Sequence, residues 1–256
     1  MSDDLFGIEG KVALITGSSK GIGRAIAERM AERGAKVVIS SRKLDVCEEV
    51  AKGINDKGGT AIPIACNITH KDQLQSLVDQ TREKLGPVDI LVANAAVNPH
   101  FGLSQEIPDS AFDKVMSCNI RSNHWLAQMV APDMAERKDG VIIIVSSVGG
   151  LKGSTGLGAY CISKAADMQM ARNLACEWGP KNIRVNCIAP GLIRTDFAKA
   201  LWENPEIHDR TVSKYPLRRI GEPDEIAGAA IFLSSRAGSF TTGQTIVIDG
   251  GGTIAD

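Results

Sequence analysis

The stretch Val12-Ala13-Leu14-Ile15-Thr16-Gly17-Ser18-Ser19-Lys20-Gly21-Ile22-Gly23-Arg24 changes character at its middle. Four apolar residues read as a buried strand, and the glycine-rich turn after them opens a helical pattern that runs through Arg33. Glycine at 17 and 21 lets backbone come close to a phosphate, and Gly23 lets helix and strand pack without an intervening Cβ. The free N–H groups at the start of that helix, with the positive end of its dipole, favour negative charge. Placed after the first strand of a repeating strand-helix chain, this is a dinucleotide-binding turn, with Gly17, Ser19, Lys20, Gly21, Ile22 and Gly23 as its cofactor-facing residues.

The alternation recurs downstream. Residues 37–40 read as a strand and 44–57 as a helix closed by Gly58-Gly59, and residues 61–65, 89–93, 141–146, 184–189 and 245–248 read as further strands with helical stretches between them. Near-continuous apolar strands separated by helices predict a parallel sheet covered on both faces. The expectation is an α/β, doubly wound Rossmann fold of seven parallel strands, with residues 1–256 forming a single domain. Ligands of such folds bind beyond the carboxyl ends of the strands. After the second strand, an NAD-selective site would place a carboxylate for the ribose 2′-hydroxyl, but here Ser41 is followed by Arg42 and Lys43. A guanidinium can hold a 2′-phosphate bidentately, so NADP(H) is expected in preference to NAD(H), with Lys20 adding charge to the same region. After the third strand, Asn67, followed by Ile68, is placed to bond the adenine edge.

Composition narrows the class of partner. The 256 residues carry a formal net charge of −1 with acids and bases interspersed, which gives no basic footprint for nucleic acid and no polybasic membrane anchor. No uncharged apolar run reaches the ~18 residues of a membrane span, and the acidic start Met1-Ser2-Asp3-Asp4 has no apolar leader. A cytoplasmic protein acting on small molecules is expected. Cys47, Cys66, Cys118, Cys161, Cys176 and Cys187 show no C-x-x-C pairing and read as reduced, mostly buried thiols. His70, His100, His124 and His208 are scattered, so no metal site is expected.

One further pair carries chemistry. In Ala159-Tyr160-Cys161-Ile162-Ser163-Lys164-Ala165, the tyrosine and lysine stand at i and i+4 and share one face of a helix. A free tyrosine hydroxyl titrates near ~10, so proton exchange near neutrality takes about 4 kcal/mol of assistance. A cation at ~4 Å in an effective dielectric of ~20 supplies about that much. The pair reads as a proton-handling unit.

Together these residues resemble a short-chain dehydrogenase/reductase of the single-domain branch, whose pattern is T-G-x-x-x-G-x-G, N-N-A-G, an Asn, a Ser, then Y-x-x-x-K. The resemblance spans nearly the whole chain: Thr16 to Gly23, Asn94 and Ala95 in Ala93-Asn94-Ala95-Ala96, Asn119 on the long mid-chain helix, Ser147 after the fifth strand, and Tyr160 with Lys164. Alanine at 93 and 96 departs from N-N-A-G, but Asn94 can still tie neighbouring strands together. The resemblance implies hydride transfer between nicotinamide and a ketone or secondary alcohol. It makes Tyr160 the general acid/base, with Lys164 easing proton loss from it and holding the nicotinamide ribose. Ser147 would bond the substrate oxygen, and Asn119 would hold a water linking Lys164 to solvent. Pro190, Gly191, Ile193 and Thr195 would bind the nicotinamide end. Ser146 competes for the serine role, but strand alternation turns it to the opposite side from Ser147.

Substrate selection is expected from Val97, Gly149, Leu192 and Trp202, with residues 192–215 as a lid over an apolar pocket. The stretches Asn94 to Gly102 and Leu192 to Thr195 further resemble NADPH-dependent carbonyl and retinal reductases of the peroxisomal type, although Ile254-Ala255-Asp256 is not an S-K-L-type address. The same catalytic set serves 3-oxoacyl thioester reductases and NAD-dependent alcohol dehydrogenases, and a cofactor-binding sensor would keep the fold alone. The resemblance also implies a homotetramer, a dimer of dimers.

Overall fold

In the computed structural model, residues 4–255 are described; residues 1–3 and 256, which include most of the acidic start, lie outside the described residues. The first strand, β1 (Val12–Thr16), is buried along its whole length, which is why its apolar run does not alternate with polar residues. It leads into α1 (Gly21–Glu32), then β2 (Lys36–Ser41), α2 (Leu44–Asn55), β3 (Thr60–Ala65) and α3 (Lys71–Leu85). The second half runs β4 (Ile90–Ala93), α4 (Asp109–Val115), α5 (Ser122–Arg137), β5 (Gly140–Val145), α6 (Gly158–Trp178) and β6 (Ile183–Pro190). It ends with α7 (Lys199–Trp202), α8 (Pro205–Lys214), α9 (Pro223–Ser234) and β7 (Thr245–Ile248).

The seven strands form one parallel sheet in the order β3-β2-β1-β4-β5-β6-β7. Strand alternation divides the core into two layers. Ala13, Ile15, Val37, Ile39, Val92 and Ile143 face α1, α2 and α9, while Leu14, Val38, Leu91, Ile142 and Ile144 face α3, α5 and α6. Because the chain turns from β1 toward β2 and β3 and then comes back to add β4 on the other side, the crevice between β1 and β4 is the switch point at which such sheets bind ligands.

The expected strand positions agree with the structure to within one or two residues at each end. One expected element differs. Residues 109–137 do not form one continuous α-helix: α4 and α5 are joined by a π-helical turn, Met116–Arg121, which contains Asn119. The wider turn lets the Asn119 carboxamide bond the backbone of Val97 on both sides, accepting from its N–H at 2.9 Å and donating to its carbonyl at 3.1 Å.

Candidate active site

The glycine turn is built by close contacts that exclude side chains. Gly17 and Gly21 have φ of 66° and 56°, in the left-handed region that favours glycine. A methyl group at Gly23 would sit 2.5 Å from the Gly17 carbonyl oxygen and 2.5 Å from Asn94 Nδ2. Asn94 locks this corner from the far side of the crevice: its Nδ2 donates to the carbonyls of Thr16 and Gly17 at 2.9 and 3.2 Å. The Thr16 hydroxyl accepts from both Asn94 N and Ala95 N at 3.1 Å, so the β1 and β4 loops are stitched together. At the start of α1, Lys20 supplies no side-chain cap and the first turn holds no acid. Its N–H groups are therefore uncapped by protein side chains, and these residues fit the pyrophosphate of a dinucleotide. Ser18, unnoticed in the sequence, braces the turn: its hydroxyl donates to Ile15 O at 2.7 Å and accepts from Ser40 N at 2.8 Å.

At the ribose end, Ser41 is half-buried against Cys47, 3.1 Å from its sulfur, and Arg42 is exposed. Lys20 pairs with Asp196 at 3.4 Å, both side chains about two-thirds exposed. Asn67 accepts at its side-chain oxygen from the N–H and hydroxyl of Thr69, at 3.2 and 2.9 Å. Ile68 packs on the α3-side core.

The catalytic candidates converge beyond β5. Ser147 is half-buried and caps a short 3-10 turn, Val148–Gly150, accepting from Gly149 N at 3.0 Å. Ser146 points away and donates to Lys164 O at 2.7 Å. A methyl group at Gly149 would lie 3.4 Å from Ser147 Oγ and 3.7 Å from Tyr160 Cε1, so the serine and the tyrosine flank one small space. Lys164 is 2 % exposed, with its Nζ 5.7 Å from the centre of the Tyr160 ring. That nitrogen donates to Val145 O at 2.9 Å and to Asp167 Oδ2 at 3.1 Å. Burial works to strip the proton from Lys164, but the Asp167 carboxylate, with Tyr160 in second place, outweighs it and holds the ammonium above the ordinary lysine range. Asn119 Nδ2 also donates to Ser163 Oγ at 3.0 Å, so its side chain is fully engaged, and its backbone carbonyl accepts from Asn123 Nδ2 at 2.7 Å. Asp167 and Asn123 were not read from the sequence. Their spacing was a usable signal, since Asp167 lies three residues beyond Lys164 and Asn123 four beyond Asn119.

Residues 192–215, the expected lid, consist of three pieces: a 3-10 turn, Asp196–Ala198, followed by α7 and α8. Its root is fixed by the buried Ile193, by Arg194 N donating to Gly221 O at 2.9 Å, and by Leu192 N donating to the Tyr215 hydroxyl at 2.9 Å. Phe197 is the aromatic of this segment that reaches Tyr160, with ring centres 6.1 Å apart. Trp202 instead builds the cover from within, donating its indole N–H to Thr195 O at 2.8 Å beneath Arg194, 5.3 Å from the ring centre.

Comparison with known proteins agrees with this fold. The profile of a family described as enoyl-(acyl carrier protein) reductase matches residues 17–253. Dehydrogenase/reductase SDR family member 4 of Bos taurus is 40% identical over 244 residues, covering 95% of this chain and 88% of that protein. A solved 7 alpha-hydroxysteroid dehydrogenase, complexed with NADH and 7-oxo glycochenodeoxycholic acid, is 39% identical with a TM-score of 0.94 over 98% of both chains. A gluconate 5-dehydrogenase from Burkholderia cenocepacia, in complex with NADP and tartrate, is 32% identical with a TM-score of 0.95 over 99% of both chains.

Proposed function

We propose that this chain, which belongs to the short-chain dehydrogenase/reductase family and is an oxidoreductase of alcohols and carbonyls, works as an NADP(H)-dependent carbonyl reductase with Tyr160 as its general acid. The observation that carries the reading is that Ser147 and Tyr160 flank one small space at the carboxyl end of β5, with a buried, charged Lys164 against the tyrosine ring. When bound, the nicotinamide would exchange a hydride with the carbonyl or carbinol carbon. Ser147 Oγ donates to the substrate oxygen and stabilises the charge that develops on it. The Tyr160 hydroxyl delivers the proton in reduction and takes it back in oxidation. Lys164 stabilises the phenolate between those events, and Asn119 fixes the loop at Val97 that borders the pocket. Phe197, exposed in the cofactor-free chain, and Leu192 would close over a bound substrate beside Val97 and Gly149. The NADP preference is supported by Ser41 and the exposed Arg42, where no carboxylate stands to meet a 2′-hydroxyl.

Two further proposals accompany this one. Exposed Phe112, Ile162 and Val247, on α4, α6 and the edge strand β7, favour a homotetramer over a monomer, which light scattering measures. Six free thiols favour a reducing, cytoplasmic setting, and among the described residues no helix is long and apolar enough to cross a membrane.

The test couples two measurements on the purified chain. Dissociation constants for NADPH and NADH, with turnover on a panel of ketones, diones and 3-oxoacyl thioesters, are expected to show tighter NADPH and reduction of simple ketones. Tyr160→Phe is expected to abolish turnover while NADPH binding stays within a few-fold. Equal affinity for the two cofactors would sink the NADP assignment, and activity surviving in Tyr160→Phe would sink the mechanism.

A further inference from the structure

A fully enclosed charged pair lies directly behind the catalytic group. Lys164 and Asp167 are 2 % and 0 % exposed. The carboxylate is held at both oxygens, by Lys164 Nζ at 3.1 Å and by Asn123 Nδ2 at 3.1 Å. The same Asn123 amide donates to the Asn119 carbonyl at 2.7 Å, so the pair is tied to the π-helical turn. We propose that Asp167 is a positioning residue of the catalytic unit: it keeps Lys164 an ammonium where water is excluded, and with the Val145 carbonyl it aims that ammonium along the face of Tyr160.

The argument is one of compensation. A buried ammonium without a counter-charge loses several kcal/mol of hydration, and buried lysines of that kind titrate as much as ~3–5 units low. Such a lysine would be neutral at the pH where Tyr160 works, and it could not stabilise a phenolate. The surroundings offer one remedy. On α6 the titratable neighbours are Tyr160, Asp167 and the exposed Arg172; β6 contributes the Cys187 thiol, which donates to Asp167 O at 3.4 Å and which burial pushes up, so that it stays uncharged. From β5 come the Val145 carbonyl and the Ser146 hydroxyl, and from the π-turn and α5 the amides of Asn119 and Asn123. Asp167 is the carboxylate in that set. Its place is also selective: a side chain three residues beyond Lys164 shares its face but points one turn further from the substrate, so it can hold the lysine without competing for the reacting oxygen.

This inference rests on the reading of Lys164 as part of the proton-handling unit, and its test is independent of turnover. Lysine labelled with 13C at Cε is introduced, the Lys164 signal is assigned by its loss in Lys164→Met, and the cofactor-free protein is titrated by NMR. Wild-type Lys164 is expected to keep its proton at least as far into the alkaline range as a free lysine does. Asp167→Asn keeps the shape and removes the charge; it is expected to bring the midpoint down by at least ~1 unit, within the range documented for buried lysines. Alcohol oxidation by that variant is expected to gain an alkaline limb at the same midpoint. An unchanged Lys164 midpoint in Asp167→Asn would overturn the proposal. So would a wild-type Lys164 that deprotonates below about pH 9, well under a free lysine, and this second result needs no variant to fold. A chain that turned over no alcohol would count against the enzymatic reading and leave the NMR test of Asp167 intact.

Discussion

Gly23→Ala and Gly53→Ala are the same substitution with opposite expected outcomes. At Gly23 the added methyl would lie 2.5 Å from the Gly17 carbonyl oxygen and 2.5 Å from Asn94 Nδ2. Comfortable heavy-atom contact is ~3.5 Å or more, so the overlap is about 1 Å against two groups. Neither can step aside freely. The Gly17 carbonyl belongs to a turn at φ 66°, and Asn94 Nδ2 bonds Thr16 O and Gly17 O. Overpacking of this kind costs ~1–3 kcal/mol and a broken hydrogen bond adds ~1 kcal/mol, which together give about 2–4 kcal/mol. The displacement falls on the turn that would hold the pyrophosphate, so NADPH binding, followed by quenching of protein fluorescence, is expected to weaken by ~10-fold or more. At Gly53, inside α2, nothing lies within 4 Å of the added methyl. There, alanine relieves helix-interior glycine of about 1 kcal/mol and is expected to raise the melting temperature by ~2–4 °C with cofactor affinity unchanged. Should Gly23→Ala bind NADPH within twofold of wild type at an unchanged melting temperature, the steric account of the turn is wrong.

Three other perturbations test separate parts of the molecule. Arg42→Ser removes the exposed guanidinium after β2; a hydrogen bond to a charged group is worth ~1.5–3 kcal/mol, so the NADPH dissociation constant is expected to rise ~10–100-fold while that for NADH stays put, by titration calorimetry. Trp202→Phe deletes the indole bond to Thr195 O and leaves the ring beneath Arg194; loosening the cover by ~1 kcal/mol is expected to raise KM several-fold more than it lowers kcat, in steady-state kinetics on any accepted ketone. Glu225, whose carboxyl is held down to about 2 by its hydrogen bonds to Arg219 and then to Glu222 N, stabilises the fold fully above its unfolded value near ~4.5 and loses that contribution as pH falls toward 2. Glu225→Gln is therefore expected to melt below wild type at pH 6 and to converge with it in acid, which a melting series across pH checks.

The fold was legible because its two strongest signals are local. A strand buried on both faces must be apolar throughout, as β1 and β5 are, and a phosphate turn must carry glycine where φ is positive or a Cβ would clash, as at Gly17, Gly21 and Gly23. The parts that escaped depend on partners far along the chain. Residues 109–137 have helical sequence throughout, and the π-turn at Asn119 is set by bonds to Val97, 22 residues earlier, and to Ser163, 44 residues later. The partner of Lys20, Asp196, is likewise 176 residues away. Asp167 escaped for a different reason. An acid in mid-helix usually marks a solvated face, and only its distance of three residues from a lysine that is itself buried shows otherwise.

The segment after β6 touches two parts of the candidate site at once. Thr195 lies at the turn that starts it, capping the 3-10 segment through Ala198 N and receiving the Trp202 indole at its carbonyl. The Thr195 methyl lies 3.2 Å from where a Cβ on Gly21 would stand, and the next residue, Asp196, holds Lys20. One residue further, Phe197 meets Tyr160. Three consecutive side chains therefore reach the glycine turn on one side and Tyr160 on the other. The Lys20 to Asp196 pair is about two-thirds exposed at each end, and such surface pairs contribute little, so a phosphate can take Lys20 from Asp196 at small cost.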